Sequence, residues 1–354
     1  MIAIAVADSL STLDAGWFTT VLREGGHTRA AVTAVTLEPM PFRGAVADMA
    51  VARLEYDGAG DPGPASVVAK IRGRTPVQAG MDAAMGLYDR EARFYRELAG
   101  AVPVRTPRCY HAGDGTSTPL LLEDLGGLRI GDQVRGLAVA DAERLMDVLA
   151  DLHARFWESP VLDEDWILSP GGGAFAAMVA QLVGSGVDAL RRRYEDRVPA
   201  GVLDAVADAA PRWCEILQRC AEGPMTLVHH DCRLDNVFFD AGGAPVLVDW
   251  QVLARTRGTQ DVGNLLAGSM DVEDLRASWE PLLRRYHDRL IANGVRDYTW
   301  GDCVRHYRQN ILYPLGAGMA LLGSMDIGDD RGLGDAIVLR ALTHTADLES
   351  LAAV

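Results

Sequence analysis

Residues 226–251, TLVHHDCRLDNVFFDAGGAPVLVDWQ, restrict the fold of this chain more than any other stretch. Two short apolar runs, NVFF and PVLV, flank a Gly-rich turn, a pattern that predicts a tight antiparallel hairpin. Polar residues stand at its ends. His229-x-Asp231 comes before it, Asn236 follows that aspartate by five residues, and Asp249 closes the second strand. Pairing the strands brings Asn236 and Asp249 to neighbouring strand ends. An amide oxygen and a carboxylate there suit magnesium, a hard cation that takes oxygen ligands and keeps its other positions for water and phosphate. Asp231, on the preceding loop, is free to accept a proton from a hydroxyl or to orient it.

A second feature lies far upstream. The 34 basic residues comprise 33 arginines and a single lysine, Lys70, in SVVAKIRG. Val67, Val68, Ala69 and Ile71 make this a half-buried strand. An ammonium in such a place is costly without an anionic partner. A compact charge on a flexible stem also suits a phosphate where a planar fork does not, so Lys70 is a candidate phosphate ligand.

Length and composition bound the rest. A chain of 354 residues, 49% hydrophobic, buries a large core and divides into two lobes or domains. A formal charge of −15 argues against nucleic acid as a partner. The apolar start, MIAIAVADS, is too short to span a bilayer and lacks a basic flank, and no longer run reads as a membrane helix. Five cysteines, at 109, 214, 220, 232 and 303, match neither a metal spacing nor a disulfide framework. These observations predict a cytoplasmic protein without membrane or nucleic-acid partners.

Along the chain, an amphipathic helix is expected at 11–24, strands at 31–38, 46–56, 66–72 and 119–123, and one interrupting helix from about Met81 to Ala99, with Met85, Tyr88, Ala92 and Tyr95 as its apolar stripe. From Val139 the pattern turns helical, with further helices over 174–220 and from 271 to the end. Gly58-Ala-Gly60-Asp-Pro-Gly63 fits G-x-G-x-x-G literally. A dinucleotide loop must precede a helix, however, and here the Lys70 strand follows, so this is a hairpin connection.

The constellation at 229–251 resembles the kinase catalytic loop H-R-D-x-x-x-x-N followed by D-F-G, with Trp250 and Gln251 in the last two places. More narrowly, VVAKI, REARFYREL, LLLEDL, LADLHARFW, HHDCRLDN, VLVDWQ and RGTQDVGNLL are similar to segments of the aminoglycoside phosphotransferase and choline kinase-like superfamily, especially its bacterial small-molecule phosphotransferases and ecdysteroid kinase-like branch. The likeness runs through nearly the whole chain. It implies an α+β, two-lobed, protein-kinase-like fold: a mainly β N-lobe at 1–123, a mainly α C-lobe at 124–354, and ATP, with GTP as the alternative donor, between them.

Several roles follow from the resemblance. Lys70 touches the α- and β-phosphates and is held by Glu91, which borders the apolar stripe of its helix better than Asp89 or Glu97. Backbone groups near Glu123 and Leu125 face adenine. Asp231 is the catalytic aspartate, Asn236 and Asp249 hold Mg2+, His229 scaffolds the loop, Asp261 braces it from below, and His153 is a buried structural histidine. Two departures stand out. The nucleotide-covering stretch EPMPFRGAVADMAV offers only Gly44, and His230 occupies a position where these phosphotransferases most often carry glycine.

Only nine residues separate Gln251 from Asp261, too few for the activation segment on which a protein kinase docks a polypeptide. The expected acceptor is therefore a small hydroxylated molecule, an antibiotic or other natural product first and a primary-metabolite sugar or amino alcohol second. Trp166, Tyr194, Trp279, Trp300, Asp302, Tyr307 and Tyr313 are candidates for its pocket wall. A non-catalytic nucleotide-binding module is the competing class; its support is the scarcity of glycine near Gly44.

Overall fold

The computed structural model describes residues 9–40, 46–58, 61–113, 119–199, 201–324 and 332–354; Gly44 lies outside them. The chain forms two compact units, one of residues 1–102 with 106–128 and one of residues 103–105 with 129–354.

The first unit is built on a five-stranded antiparallel sheet of β1 (Val32–Pro39), β2 (Ala47–Tyr56), β3 (Ser66–Arg72), β4 (Cys109–Ala112) and β5 (Leu120–Glu123), in the order β1-β2-β3-β5-β4. Helix α1 (Ala15–Glu24) starts at Asp14, whose carboxylate accepts the Trp17 amide at 2.7 Å. Its Trp17, Phe18, Val21 and Leu22 pack with Val32, Ala52, Leu54, Val67, Ala69 and Leu121. Each Val, Leu or Phe among them contributes about 1.5–3 kcal/mol on burial. Because side chains alternate along a strand, seating Val67, Ala69 and Ile71 in this core turns Lys70 to the opposite face. The 58–63 stretch joins β2 to β3, which pair antiparallel; residues 59 and 60 lie outside the described residues.

The expected single helix at 81–99 is two helices, α2 (Pro76–Met85) and α3 (Leu87–Glu97). Gly86 breaks them with φ +63°, a conformation that costs glycine nothing and an L-residue strain. The Asp82 carboxylate then caps the new helix by accepting the Tyr88 amide at 2.9 Å.

The second unit is mainly helical. Its strands are β6 (Arg129–Ile130), β7 (Thr226–Val228), β8 (Val237–Phe239), β9 (Pro245–Leu247) and β10 (Ala254–Thr256), forming a β6-β8-β9 sheet and a β7-β10 pair. The predicted hairpin is β8-β9, with Val237 opposite Leu247. The helices are α4 (Val139–Arg155), α5 (Gly173–Tyr194), α6 (Val202–Ala209), α7 (Trp213–Cys220), α8 (Thr259–Ser269), α9 (Val272–Ala292), α10 (Trp300–Asn310), α11 (Leu312–Ser324) and α12 (Leu333–Asp347). Helix α8 has every residue buried, so it lacks the polar face by which a helix is recognised in sequence. Helix α5 corrects another expectation: it is long and apolar enough to cross a membrane by length and composition. Here its Ala176, Val183, Leu190 and Tyr194 pack with Trp213, Leu315 and Met319 in the core of the second unit.

Candidate active site

In the first unit, Lys70 is buried between β2 and β5, opposite Met49 and Leu120. Helix α3 brings Glu91 to it, Nζ to Oε2 at 2.5 Å, with side chains 5% and 2% exposed. Tyr88, one turn earlier, donates its hydroxyl to the Lys70 carbonyl at 2.9 Å, and burial pushes that hydroxyl's pKa well up, keeping it a donor. The competing helix acids point elsewhere: Asp89 pairs with Arg72 at 2.5 Å and Glu97 with Arg93 at 2.8 Å. At the candidate hinge, the Glu123 amide donates to the Arg108 carbonyl at 2.8 Å and the Glu123 carboxylate accepts the Arg108 amide at 3.0 Å. The Leu125 carbonyl accepts the Leu128 amide at 2.8 Å. The structure thus ties three of the polar groups near the hinge to this unit's own chain.

In the second unit the site is a loop held from beneath. Asp261, fully buried near the start of α8, accepts the amides of His229 and His230 at 2.7 and 2.8 Å, and His153 Nε2 lies 3.3 Å from its Oδ2. Burial opposes the Asp261 charge, yet the His153 bond, the nearby imidazoles and the backbone amides prevail and hold its carboxyl below the usual range. His153 is fixed in turn by the Tyr286 hydroxyl at 2.8 Å. Gly258 makes room: a Cβ there would lie 2.6 Å from His153 Nδ1. His229 turns its Nε2 to the Val248 carbonyl at 2.8 Å and packs on the Trp250 ring, tying the loop to the end of β9.

Asp231, on this loop, is 30% exposed. Asn236 donates its amide Nδ2 to Asp231 Oδ2 at 2.9 Å and to the Asp231 carbonyl at 3.0 Å. That leaves the Asn236 amide oxygen as the end available to a cation. The Asn236 carbonyl accepts the Val248 amide at 3.1 Å, continuing the hairpin register by one pair, so Asp249 follows directly after the residue opposite Asn236. Asp249 has φ +66°, a left-handed conformation that turns the chain sharply out of the strand. An amide oxygen and a carboxylate oxygen are hard donors of the kind Mg2+ takes, so this pair fits the expected ion.

Sequence reasoning missed Gln133. Its Oε1 accepts the Leu234 amide at 2.7 Å, its Nε2 donates to the Gly268 carbonyl at 2.6 Å, and its backbone amide meets Asp235 at 3.1 Å, so it pins the turn between Asp231 and Asn236. No local signal marks a residue about a hundred positions away from the loop it supports.

Beside Asp231 the second unit holds a cavity of about 220 Å3. Of the seven proposed pocket residues, Tyr313 lines it. The others serve elsewhere: Tyr194 bonds Asp335, Tyr307 bonds His344 and stacks on Trp279, Trp300 lies under Arg284, Asp302 caps α10, and Trp166 lies outside this lining. The position of Gln133, Arg233 and Asn264 in the wall was not foreseen.

A model of the ecdysteroid kinase-like family matches residues 43–296. No curated protein matches this sequence. Among solved structures, the chain is similar to a candidate aminoglycoside phosphotransferase from Ralstonia eutropha (16% identity, 95% of this chain and 98% of that one, TM-score 0.55). It is also similar to a choline kinase from Cryptosporidium parvum (9%, 90% and 89%, TM-score 0.51) and an ethanolamine kinase from Plasmodium vivax (10%, 88% and 82%, TM-score 0.50). At these identities the likeness fixes the fold as kinase-like.

Proposed function

From the premise that this chain belongs to the ecdysteroid kinase-like family, we propose that it transfers the γ-phosphoryl group of ATP to a hydroxyl of a small molecule. The observation that carries this reading is Asp231: a half-exposed carboxylate, fixed by Asn236 on a loop braced by Asp261, at the wall of a cavity. In that place it accepts the proton of the acceptor hydroxyl as the oxygen bonds to the γ-phosphorus and ADP leaves with the electron pair of the broken bond. Lys70, held in place by Glu91 at 2.5 Å, binds the α- and β-phosphates. Asn236 and Asp249 would hold Mg2+, which when bound offsets phosphate charge.

A hydroxylated natural product, an antibiotic among them, is the acceptor class this cavity favours. Pro314, Ala317, Leu321, Ile337 and Val338 give it an apolar wall. Among the described lining residues the charged side chains are Asp231 and Arg233, whose Nε is 3.5 Å from Asp231 Oδ2. An amino alcohol would meet that guanidinium and, among the described lining residues, no second carboxylate, which weighs against the amino-alcohol reading. Residues 252–260 hold the end of a 3-10 turn, β10 paired with β7, and the start of α8, which supports a small acceptor over a polypeptide. Five free cysteines fit a cytoplasmic setting.

The test is ATP turnover with a panel of aminoglycosides, macrolides, nucleosides, sugars and choline, in wild type and Asp231→Asn. Transfer to any accepted compound should fall by about a hundredfold or more in the variant, the low end of general-base contributions, with the fold intact. Undiminished turnover would remove Asp231 from the chemistry. Mg2+ should tighten ADP binding to wild type and not to Asp249→Ala; equal dependence by calorimetry would place the metal elsewhere.

A further inference from the structure

His230 stands next to Asp231 in a conformation an L-residue avoids, with φ +69°. Residues held there persist where their surroundings over-determine them, and they cluster at functional sites. The backbone reason is visible: the His230 amide must reach Asp261 Oδ1, at 2.8 Å. Glycine would meet that need without strain, so the imidazole calls for a separate explanation. Its ring is buried, edge-on to Phe175 at 6.1 Å and against Tyr313 at 4.7 Å between centroids. Nδ1 is hydrogen-bonded to the Tyr313 hydroxyl at 3.2 Å. Tyr313 also lines the cavity that Asp231 lines, beside Pro314, Ala317 and Leu321. Burial, and then the charges of Asp231 and Asp261, keep that hydroxyl protonated at all ordinary pH.

We propose that the Tyr313 hydroxyl, oriented by His230, is the hydrogen-bonding group that seats the acceptor's oxygen beside Asp231. This rests on the kinase reading above and names a positioning pair within the same site. The apolar part of the wall holds an alcohol's body but does not direct its oxygen toward the base. A phenol fixed at one point of that wall restricts the oxygen, at the cost of a strained backbone at His230. The acceptor this arrangement fits is an uncharged alcohol with an apolar body.

Cyclohexanol, compact and uncharged, serves as the probe. Its binding is read by saturation-transfer NMR, its phosphorylation by ADP release, and the fold by thermal midpoint. Tyr313→Phe and His230→Gly should each weaken cyclohexanol binding and raise its KM by roughly fivefold, the worth of one neutral hydrogen bond. In His230→Gly the relief of the left-handed backbone should offset part of the stability lost with the buried ring, so the fall in thermal midpoint should be smaller than for His230→Ala. His230→Asn, which tolerates that conformation and keeps a hydrogen-bonding group, should restore part of the affinity. The double variant should lose no more than either single one, since both delete the same bond. Absence of cyclohexanol binding, unchanged binding in Tyr313→Phe or His230→Gly, or additive losses would overturn the proposal. Binding that Tyr313→Phe weakens, without phosphate ever reaching the alcohol, would keep the seat and overturn the kinase reading.

Discussion

Lys70 and Glu91 satisfy each other directly, at 2.5 Å and almost entirely out of solvent, on a regular strand and a regular helix. Asp231 in the second unit is 30% exposed and sits on a loop; what fixes it is Asn236, and what fixes the loop is the buried Asp261 carboxylate with His153 and Tyr286 behind it. In the first region, then, the candidate functional charge is also a folding element, because each buried ion offsets the other's desolvation. In the second, the proposed task and the support are divided: the Asp231 carboxylate keeps contact with water while the buried Asp261 holds His229 and His230 by their backbone amides. Substitutions that leave one charge unpaired should therefore move stability and activity together in the first region, whereas in the second the two should move separately.

The largest effect that could break this contrast is Glu91→Ala. It takes from the buried Lys70 ammonium the carboxylate that pairs with it at 2.5 Å, and removing one partner of such a pair costs about 3–5 kcal/mol. Urea denaturation should show that loss alongside the loss of phosphate transfer. Replacing both residues, as Lys70→Met with Glu91→Leu, should recover much of the stability and none of the activity. A loss below about 1 kcal/mol in the single variant would mean that water reaches the pair and that the two regions do not differ as described.

Next in size is Asp261→Asn. Asn keeps one oxygen for two amides that now share a carboxylate, and a buried donor left unsatisfied costs roughly 1–3 kcal/mol. The effect should depend on pH. Asp261 has a lowered carboxyl pKa in the fold, so its stabilising share is complete above the unfolded-state value of about 4 and disappears as pH falls through the folded-state value. The gap in thermal midpoint between wild type and variant should accordingly be full at pH 7 and narrow in the acid range below about pH 4. A gap that widens on acidification would reverse the assigned sign.

The same division explains what the sequence disclosed. The β8-β9 hairpin is legible because its apolar runs and Gly-rich turn are contiguous, and Lys70 stands out because its strand is apolar and the chain has no other lysine. The supports are a different matter. Gln133 meets Leu234 and Tyr313 meets His230 across separations of 101 and 83 residues, with no local pattern to mark either pairing. The break at Gly86 was hidden by an apolar stripe that runs through it at helical spacing, while the residue that caps the new helix, Asp82, reads as an ordinary polar position. The supports Asp261, His153 and His229 lie in segments that resemble the family's, whereas the Gln133–Leu234 and Tyr313–His230 pairings are placed by tertiary packing alone.

The smallest expected effect is the most discriminating. Lys70→Arg keeps the charge and can keep a bond to Glu91, so it should leave stability close to wild type while changing the shape of the cation. If Lys70 were only a folding element, arginine would serve, as it does at the other 33 basic positions of the chain. If it also positions phosphate, the wider guanidinium displaces the nucleotide, and alignment to a fraction of an ångström governs transfer, so activity should fall about tenfold or more. The composition supplies an independent readout. An amine-reactive ATP analogue has one lysine side chain to modify, besides the N-terminus, and excess ATP should protect it. Full activity in Lys70→Arg, with labelling that ATP does not suppress, would falsify the phosphate role and leave the Lys70–Glu91 pair with a folding role alone.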